Sequence, residues 1–367
     1  MAETTVSIRT SVLFAGIKIA AVWFAIGAAV HALGCSDSRA HTEESAPRHE
    51  SFPPQVESGG RSVARLSEAE RSPATLAAED RAFDELWRDG LAEIASYDIV
   101  YPRYGQPRQG TGVAITVHEG GLDARTFVKV ESRRPDRSRG YVPAIKLNWI
   151  VDFATGIYDY HLMTSAFVAT ADADGHRKRG PLKVSFGSQE WCGHVYAQAL
   201  FDASALRLAS HSYFEGEADK TQSLEMQAGG FSEDMLALWA RGLAGPAGVG
   251  ESPVAVPLLR SLAWARLNHT DVVWDHARLQ RVPEPQSVVV PAGTFEVDRF
   301  LAVIEAQAEA PTRSWTFDVE REGYRRVIRI ERSDGMRAQL IASKRLAYWE
   351  LNGVGGAGTS HLRSLGL

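Results

Sequence analysis

The stretch "AIKLNWIVDFATGIYDYHLMTSAFVAT", residues 144–170, decides the fold class. Two runs rich in β-branched and aromatic residues flank a short break containing a glycine, the pattern of two strands joined by a turn. The same pattern continues on both sides. Upstream lie "SYDIVYPRYG" (96–105), "TGVAITVHE" (111–119) and "RTFVKVES" (125–132). Downstream lie "PLKVSFG" (181–187), "GHVYAQALFD" (193–202), "LRLASHSYFEGEA" (206–218) and "KTQSLEMQ" (220–227). Between Tyr97 and Gln227 this predicts about eight strands, spaced as an antiparallel meander requires.

The C-terminal part is written the same way. "SVVVPAGTFEVDRFLAVIEA" (287–306) reads as two strands around a Pro-Ala-Gly turn. In "SWTFDVE" (314–320), Trp315, Phe317 and Val319 alternate with Thr316, Asp318 and Glu320. In "YRRVIRIER" (324–332), Ile328 and Ile330 share one face and Arg329 the other. Asp334-Gly335 is a hairpin signal, since a type I′ turn needs positive φ at both central residues.

Two segments read as helix. "AEDRAFDELWRDGLAEI" (78–94) places Phe83, Leu86, Trp87 and Leu91 at helical spacing, with Trp87 as a core anchor. "SEDMLALWARG" (232–242) has Ser232 as N-cap and Gly242 as stop. Residues 254–267 read equally as helix or strand. The expected fold is mainly β with a few helices. It is a large curved antiparallel sheet or open barrel with the two helices packed outside it or across one mouth, because a meander this long needs its edges covered. Two successive sheets divided near 242–253 are the alternative. Residues 353–367 are Gly-rich and read as a flexible tail.

The N-terminus is organised for export. Lys18 precedes the apolar run Ile19–Val30, which is shorter than the roughly 20 residues of a membrane span. The run leads into "HALGC" (31–35), which resembles the lipobox of bacterial lipoproteins, although Ala32 and Leu33 stand where that pattern has Leu and a small residue. The resemblance implies a signal peptide over 1–34 and a lipidated Cys35 as first residue. It also implies membrane attachment through that lipid, with Asp37 favouring the outer membrane, facing the periplasm. Cleavage after Ala32, giving a soluble periplasmic protein, and an uncleaved anchor are the alternatives. Residues 36–75 hold few large apolar side chains and read as a flexible linker, so the body spans 76–352.

Composition excludes several classes. The net charge of -5 gives no electrostatic footprint for nucleic acid. Two cysteines, Cys35 and Cys192, exclude a disulfide scaffold and a Cys-rich zinc module. No cofactor is expected. The glycine run at 352–360 lacks the Lys-Ser/Thr of a phosphate loop, and "ADADG" (171–175) lacks the downstream Glu of a calcium loop.

Chemistry, if present, centres on "SFGSQEWCGHVYAQ" (185–198). Cys192 is the candidate nucleophile, with His194 or His211 as base; as a structural residue it is a buried thiol in the core beside Trp191. His161, His194 and His211, with Glu190, Glu215 or Asp159, are the candidate metal ligands. The pairs Asp318/Glu320 and Glu215/Glu217 read as exposed strand faces.

The motifs "KVSFGSQEWCGHVYAQ", "SHSYFEGEAD" and "VPAGTFEVDRF" resemble uncharacterised lipoproteins of Gram-negative bacteria, over about Trp87 to Leu351. Some of these carry the label of a Maf-type septum formation inhibitor, but the Ser/Pro/Arg nucleotide loop of Maf proteins does not open this body. The resemblance brings no catalytic residues. It implies a non-catalytic envelope protein that binds an apolar or extended ligand or an envelope partner. An enzyme using Cys192 and a purely structural domain are the other two readings.

Overall fold

The computed structural model describes residues 83, 85–131, 140–307, 310–354 and 356–367. The expected signal peptide (1–34), Cys35 and the expected linker (36–75) lie outside the described residues.

The N-terminal half is an unbroken meander: β1 (Ala92–Arg103), β2 (Gln106–Asp123), β3 (Tyr141–Thr155), β4 (Tyr158–Ala169), β5 (Pro181–Glu190), β6 (Gly193–Phe201), β7 (Ala205–Ser212) and β8 (Lys220–Glu225). The count of about eight is met, but "RTFVKVES" (125–132) is not one of the strands: residues 124–126 turn the chain and Lys129 makes only an isolated bridge with Leu122. The quoted 144–170 stretch pairs from Ala144↔Ala169 to Thr155↔Tyr158. The C-terminal half follows as β9 (Phe231–Ser232), β10 (Val254–Leu259), β11 (Trp274–Arg281), β12 (Gln286–Val290), β13 (Gly293–Glu305), β14 (Arg313–Glu320), β15 (Val327–Arg332) and β16 (Arg337–Leu346).

The halves are one sheet. β1 pairs with β16, so the strand order runs outward from that seam to β8 on one side and through β15, β14, β13, β11 and β10 to β9 on the other. All pairings are antiparallel except β9 with β10. The sheet does not close. It coils, because β9 and the 3-10 turn Glu233–Met235 return to lie against β5 and β4. The 242–253 loop therefore joins parts of one sheet and does not divide two.

Besides the helical residues that end at Trp87, the described residues hold three short α-helices: α1 (Leu236–Ala240), α2 (Leu262–Leu267) and α3 (Ala357–Ser364). Ser232 caps the 3-10 turn that leads into α1, and Gly242 ends it at φ +81°, as its sequence predicts. Met235, Leu236, Leu238, Trp239 and Ala240 are all buried. A helix apolar on every side belongs inside a core, so α1 packs on the sheet with its side chains in the core, against β14. Residues 254–267 satisfy both readings: β10, then α2 capped by Ser261. Among the described residues, no helix is long and apolar enough to cross a membrane.

Three local expectations change. The 78–94 helix stops at Trp87, because Gly90 turns the chain and Ala92 begins β1; its start lies outside the described residues. Trp87 is buried as expected. At Asp334-Gly335 only the glycine has positive φ, and Gly335 N–H bonds the Arg332 carbonyl at 2.9 Å. This is a type I turn with a glycine bulge rather than type I′, and the Asp334 carboxylate fixes it by bonding Met336 N–H and the Arg332 guanidinium. The C-terminal stretch is not a free tail. It forms α3, Leu365 is buried, and the Leu365 carbonyl accepts the Ser96 hydroxyl where a bulge at Ser96/Tyr97 opens the β1–β16 seam.

Candidate functional site

A cavity of about 100 Å³ lies between the two halves. Side chains alternate across a strand, so the same-face residues of neighbouring strands make a continuous wall. Leu147, Trp149, Val151 and Leu162 form the N-terminal wall, and Phe317, Val327 and Ile330 the C-terminal one. Leu236, Ala237 and Leu238 of α1 supply the remaining side. The alternation read in "SWTFDVE" is correct: Trp315 and Phe317 both line the cavity, while Asp318 faces away.

Each end of the cavity is polar. At one end Arg241 donates to both Glu93 carboxylate oxygens, at 2.8 and 2.9 Å, and to the Tyr324 carbonyl. The face of the Trp87 ring covers this guanidinium at 4.9 Å. At the other end Arg332 is clamped by Asp334 at 2.9 and 2.7 Å and lies 5.0–5.5 Å from the rings of Tyr101, Trp264 and Trp315. Burial works against its charge, but Tyr101 and Asp334 hold it above the ordinary arginine value.

The same end rests on four buried charges. Arg260 chelates Asp275 at 3.1 and 2.9 Å, and Asp275 also accepts from Arg313 at 3.0 Å. Arg313 reaches on to Glu233, whose carboxylate also accepts Trp315 Nε1–H at 2.8 Å and Ser261 N–H at 3.0 Å. Burial alone would raise the Asp275 pKa, but Arg260, the Gln307 N–H and Arg313 hold it below the usual carboxylate range. Next to this set, Asp234 lines the cavity, has no cationic partner among the described residues, and accepts Ser261 Oγ–H at 2.6 Å and Leu262 N–H at 3.0 Å. Burial and the neighbouring Glu233 push its pKa up to about 6 against these hydrogen bonds. The site is thus an apolar slot with paired charges at its ends and one carboxyl that titrates near neutrality.

The sequence candidates lie elsewhere. Cys192 and Trp191 form the turn between β5 and β6, because Glu190 pairs with Gly193. Side chains of a two-residue turn project past the sheet end, so Trp191 is 71% exposed and Cys192 half-buried. This corrects the expectation of a buried thiol beside a core tryptophan. His161, Gln189 and His194 occupy one cross-strand row on the outer face. The two histidines are two strands apart, about 10 Å. His161 bonds Asp152, and His211 bonds Asp219 at 2.8 Å. Among the described residues, no group of three or more His, Cys, Asp or Glu side chains is placed to hold a metal ion. Asp318 and Glu320, expected on an exposed face, are buried under Arg299, Arg329 and Arg326.

Comparison with family models, curated proteins and solved structures gave no match to this chain.

The cavity's polar ends carried no signal in the sequence. Arg260, Asp275, Arg313 and Arg332 have neighbours that look like those of any solvent-facing strand residue. The one legible hint was "SEDM", where consecutive carboxylates follow an N-cap that needs only one acceptor.

Proposed function

We propose that this chain is a lipid-anchored envelope protein, attached through Cys35, whose coiled sheet binds an apolar group in the cavity between its halves. The observation that carries the binding reading is the cavity itself, with its apolar walls and internally neutralised ends. Arg241 and Arg332 already have carboxylate partners, so they orient the walls and leave no free charge for a ligand. An apolar cavity on the order of 150 Å³ accepts benzene. At about 100 Å³ this cavity is smaller than that benchmark, so it suits a single small ring or the end of an acyl chain, with any polar part left toward Asp234 or solvent. The outer-membrane placement and the resemblance to Gram-negative lipoproteins are consistent with a ligand from the envelope.

The test is titration calorimetry of the purified chain with benzene and toluene. Saturable one-to-one binding with a negative heat-capacity change is expected. Ala237→Phe and Ala263→Phe, which fill the slot from two sides, should each abolish it. Absence of saturable binding to the wild type, or undiminished binding to both variants, contradicts the reading.

A further inference from the structure

Four alternate connections of the N-terminal half push large side chains out of the fold. Tyr104 lies between β1 and β2, Ile157 between β3 and β4, Trp191 between β5 and β6, and Tyr213 between β7 and β8. They are 55, 83, 71 and 70% exposed. Alternate turns of an antiparallel meander fall at the same end of the sheet, so all four share one rim.

They form one surface. The Tyr158 hydroxyl donates to the Tyr104 hydroxyl at 3.2 Å, and the rings of Tyr158 and Trp191 are 6.1 Å apart. Tyr213 lies directly over Gly193, where a Cβ would come within 2.7 Å of it. Phe214 continues the row at 5.4 Å from Tyr213.

The opposite rim is different. Its connections include "ADADGHRKRG" (171–180) and "DAS" (202–204), polar and charged as turns ordinarily are. All four turns of this rim expose a large ring or aliphatic side chain, whereas among the described residues of the opposite rim's connections only Val128, between β2 and β3, does so; contiguous exposed apolar patches mark interaction surfaces.

The rim is also continuous with the cavity. Tyr101, which lines it, stacks on Phe153 at 4.9 Å, and Phe153 stacks on Tyr160 at 4.9 Å. The Tyr160 and Tyr104 hydroxyls meet at 2.8 Å. A pile of rings therefore leads from the slot to the exposed edge.

We infer that this rim is the face with which the protein contacts a lipid bilayer, so that the apolar group exchanges between membrane and cavity. The inference rests on the tethered, apolar-binding reading above. Tyrosine and tryptophan are the side chains that suit a bilayer interface, with the ring toward the acyl boundary and the O–H or N–H toward the headgroups. Four projecting tips meet a soft, laterally extended partner better than a concave pocket would. Charge selects the bilayer. Near the tips Arg103, Arg108, Lys220 and Arg266 balance Asp159, Glu215, Glu217 and Asp219, with Glu217 paired to Arg266, so the rim offers no cationic patch; with a net charge of -5 on the chain, a zwitterionic surface is favoured over an anionic one.

The test uses the full chain reconstituted in phosphatidylcholine vesicles containing brominated phosphatidylcholine. The emission difference between wild type and Trp191→Phe isolates that indole from the others. In vesicles the difference emission should be blue-shifted and quenched by the brominated lipid. It should lose both properties in a Tyr104→Ser/Tyr213→Ser variant and weaken when phosphatidylglycerol replaces phosphatidylcholine. A difference emission that stays red-shifted and unquenched in vesicles overturns the inference. So does one that shifts only on addition of cell-wall glycan, which would assign the rim to that polymer. Palmitate labelling of wild type against Cys35→Ser reads the tether separately, and the benzene titration reads the cavity, so failure of the rim alone is recognisable.

Discussion

The two half-sheets share a strand pattern but not a chemistry. In β1–β8 the inner face is built mainly from stacked rings, Tyr101 on Phe153 on Tyr160, with Glu93 and its partner Arg241 as the inward pair at the cavity, while pairs such as His161 and Asp152 lie outside. In β9–β16 the ionisable pairs are inside: Arg260, Asp275 and Arg313, with Glu233, are all at most 3% exposed. The cavity is where the two chemistries meet, an aromatic wall against a wall held by charges. The lesson is about energetics. Stacked rings stabilise by burial and tolerate small displacements. A buried ion set contributes little net stability while intact, but costs a great deal when one member is removed. The C-terminal half therefore sets the cavity's geometry, and the N-terminal half can yield to a ligand.

This comparison breaks most visibly at Asp275. Asp275→Asn leaves Arg260 and Arg313 without their shared carboxylate and should destabilise the protein by about 3–5 kcal/mol in urea unfolding. Asp152→Asn, the counterpart among the exposed pairs of the other half, should cost no more than about 1 kcal/mol. Equal costs would remove the distinction. The folded-state pKa of Asp275 is depressed, so its contribution is present above the ordinary carboxylate value and is lost as pH falls through the lower folded value.

Asp234 has the opposite sign. Its folded pKa of about 6 lies above the model-compound value of 3.8. Its protonated form is thus the favoured one in the fold, and its contribution is lost as pH rises through about 6. Asp234→Asn removes that penalty and should stabilise the protein at pH 8 by up to about 3 kcal/mol. The gain should shrink toward zero at pH 4. A gain that does not change with pH would contradict the burial of an ionised Asp234.

How legible the halves were follows from the same difference. The eight strands of the first half could be read because their inward residues are apolar or aromatic and their outward ones polar, as at 144–170. Trp315 and Phe317 were readable on that rule too. The rule fails where charge points inward. Arg313 and Asp275 look like surface residues until their partners, brought from β10 and the 3-10 turn, are known. It fails again where aromatics point outward. Cys192 reads as a core thiol because Trp191 and other apolar residues surround it, and only the Glu190↔Gly193 pairing places both in a turn. The β1–β16 seam had no local signal, since it joins residues about 250 positions apart.

The central claim is that one apolar group sits between the halves, and bromobenzene tests it most directly. Trp149 of β3 and Trp315 of β14 face the cavity from opposite sides. Emission from the wild type is compared with Trp149→Phe and Trp315→Phe while the bromine-bearing ring is titrated in. The account predicts that each difference emission is quenched with the same saturation midpoint. Quenching of one tryptophan without the other, or of neither at saturation, would contradict it.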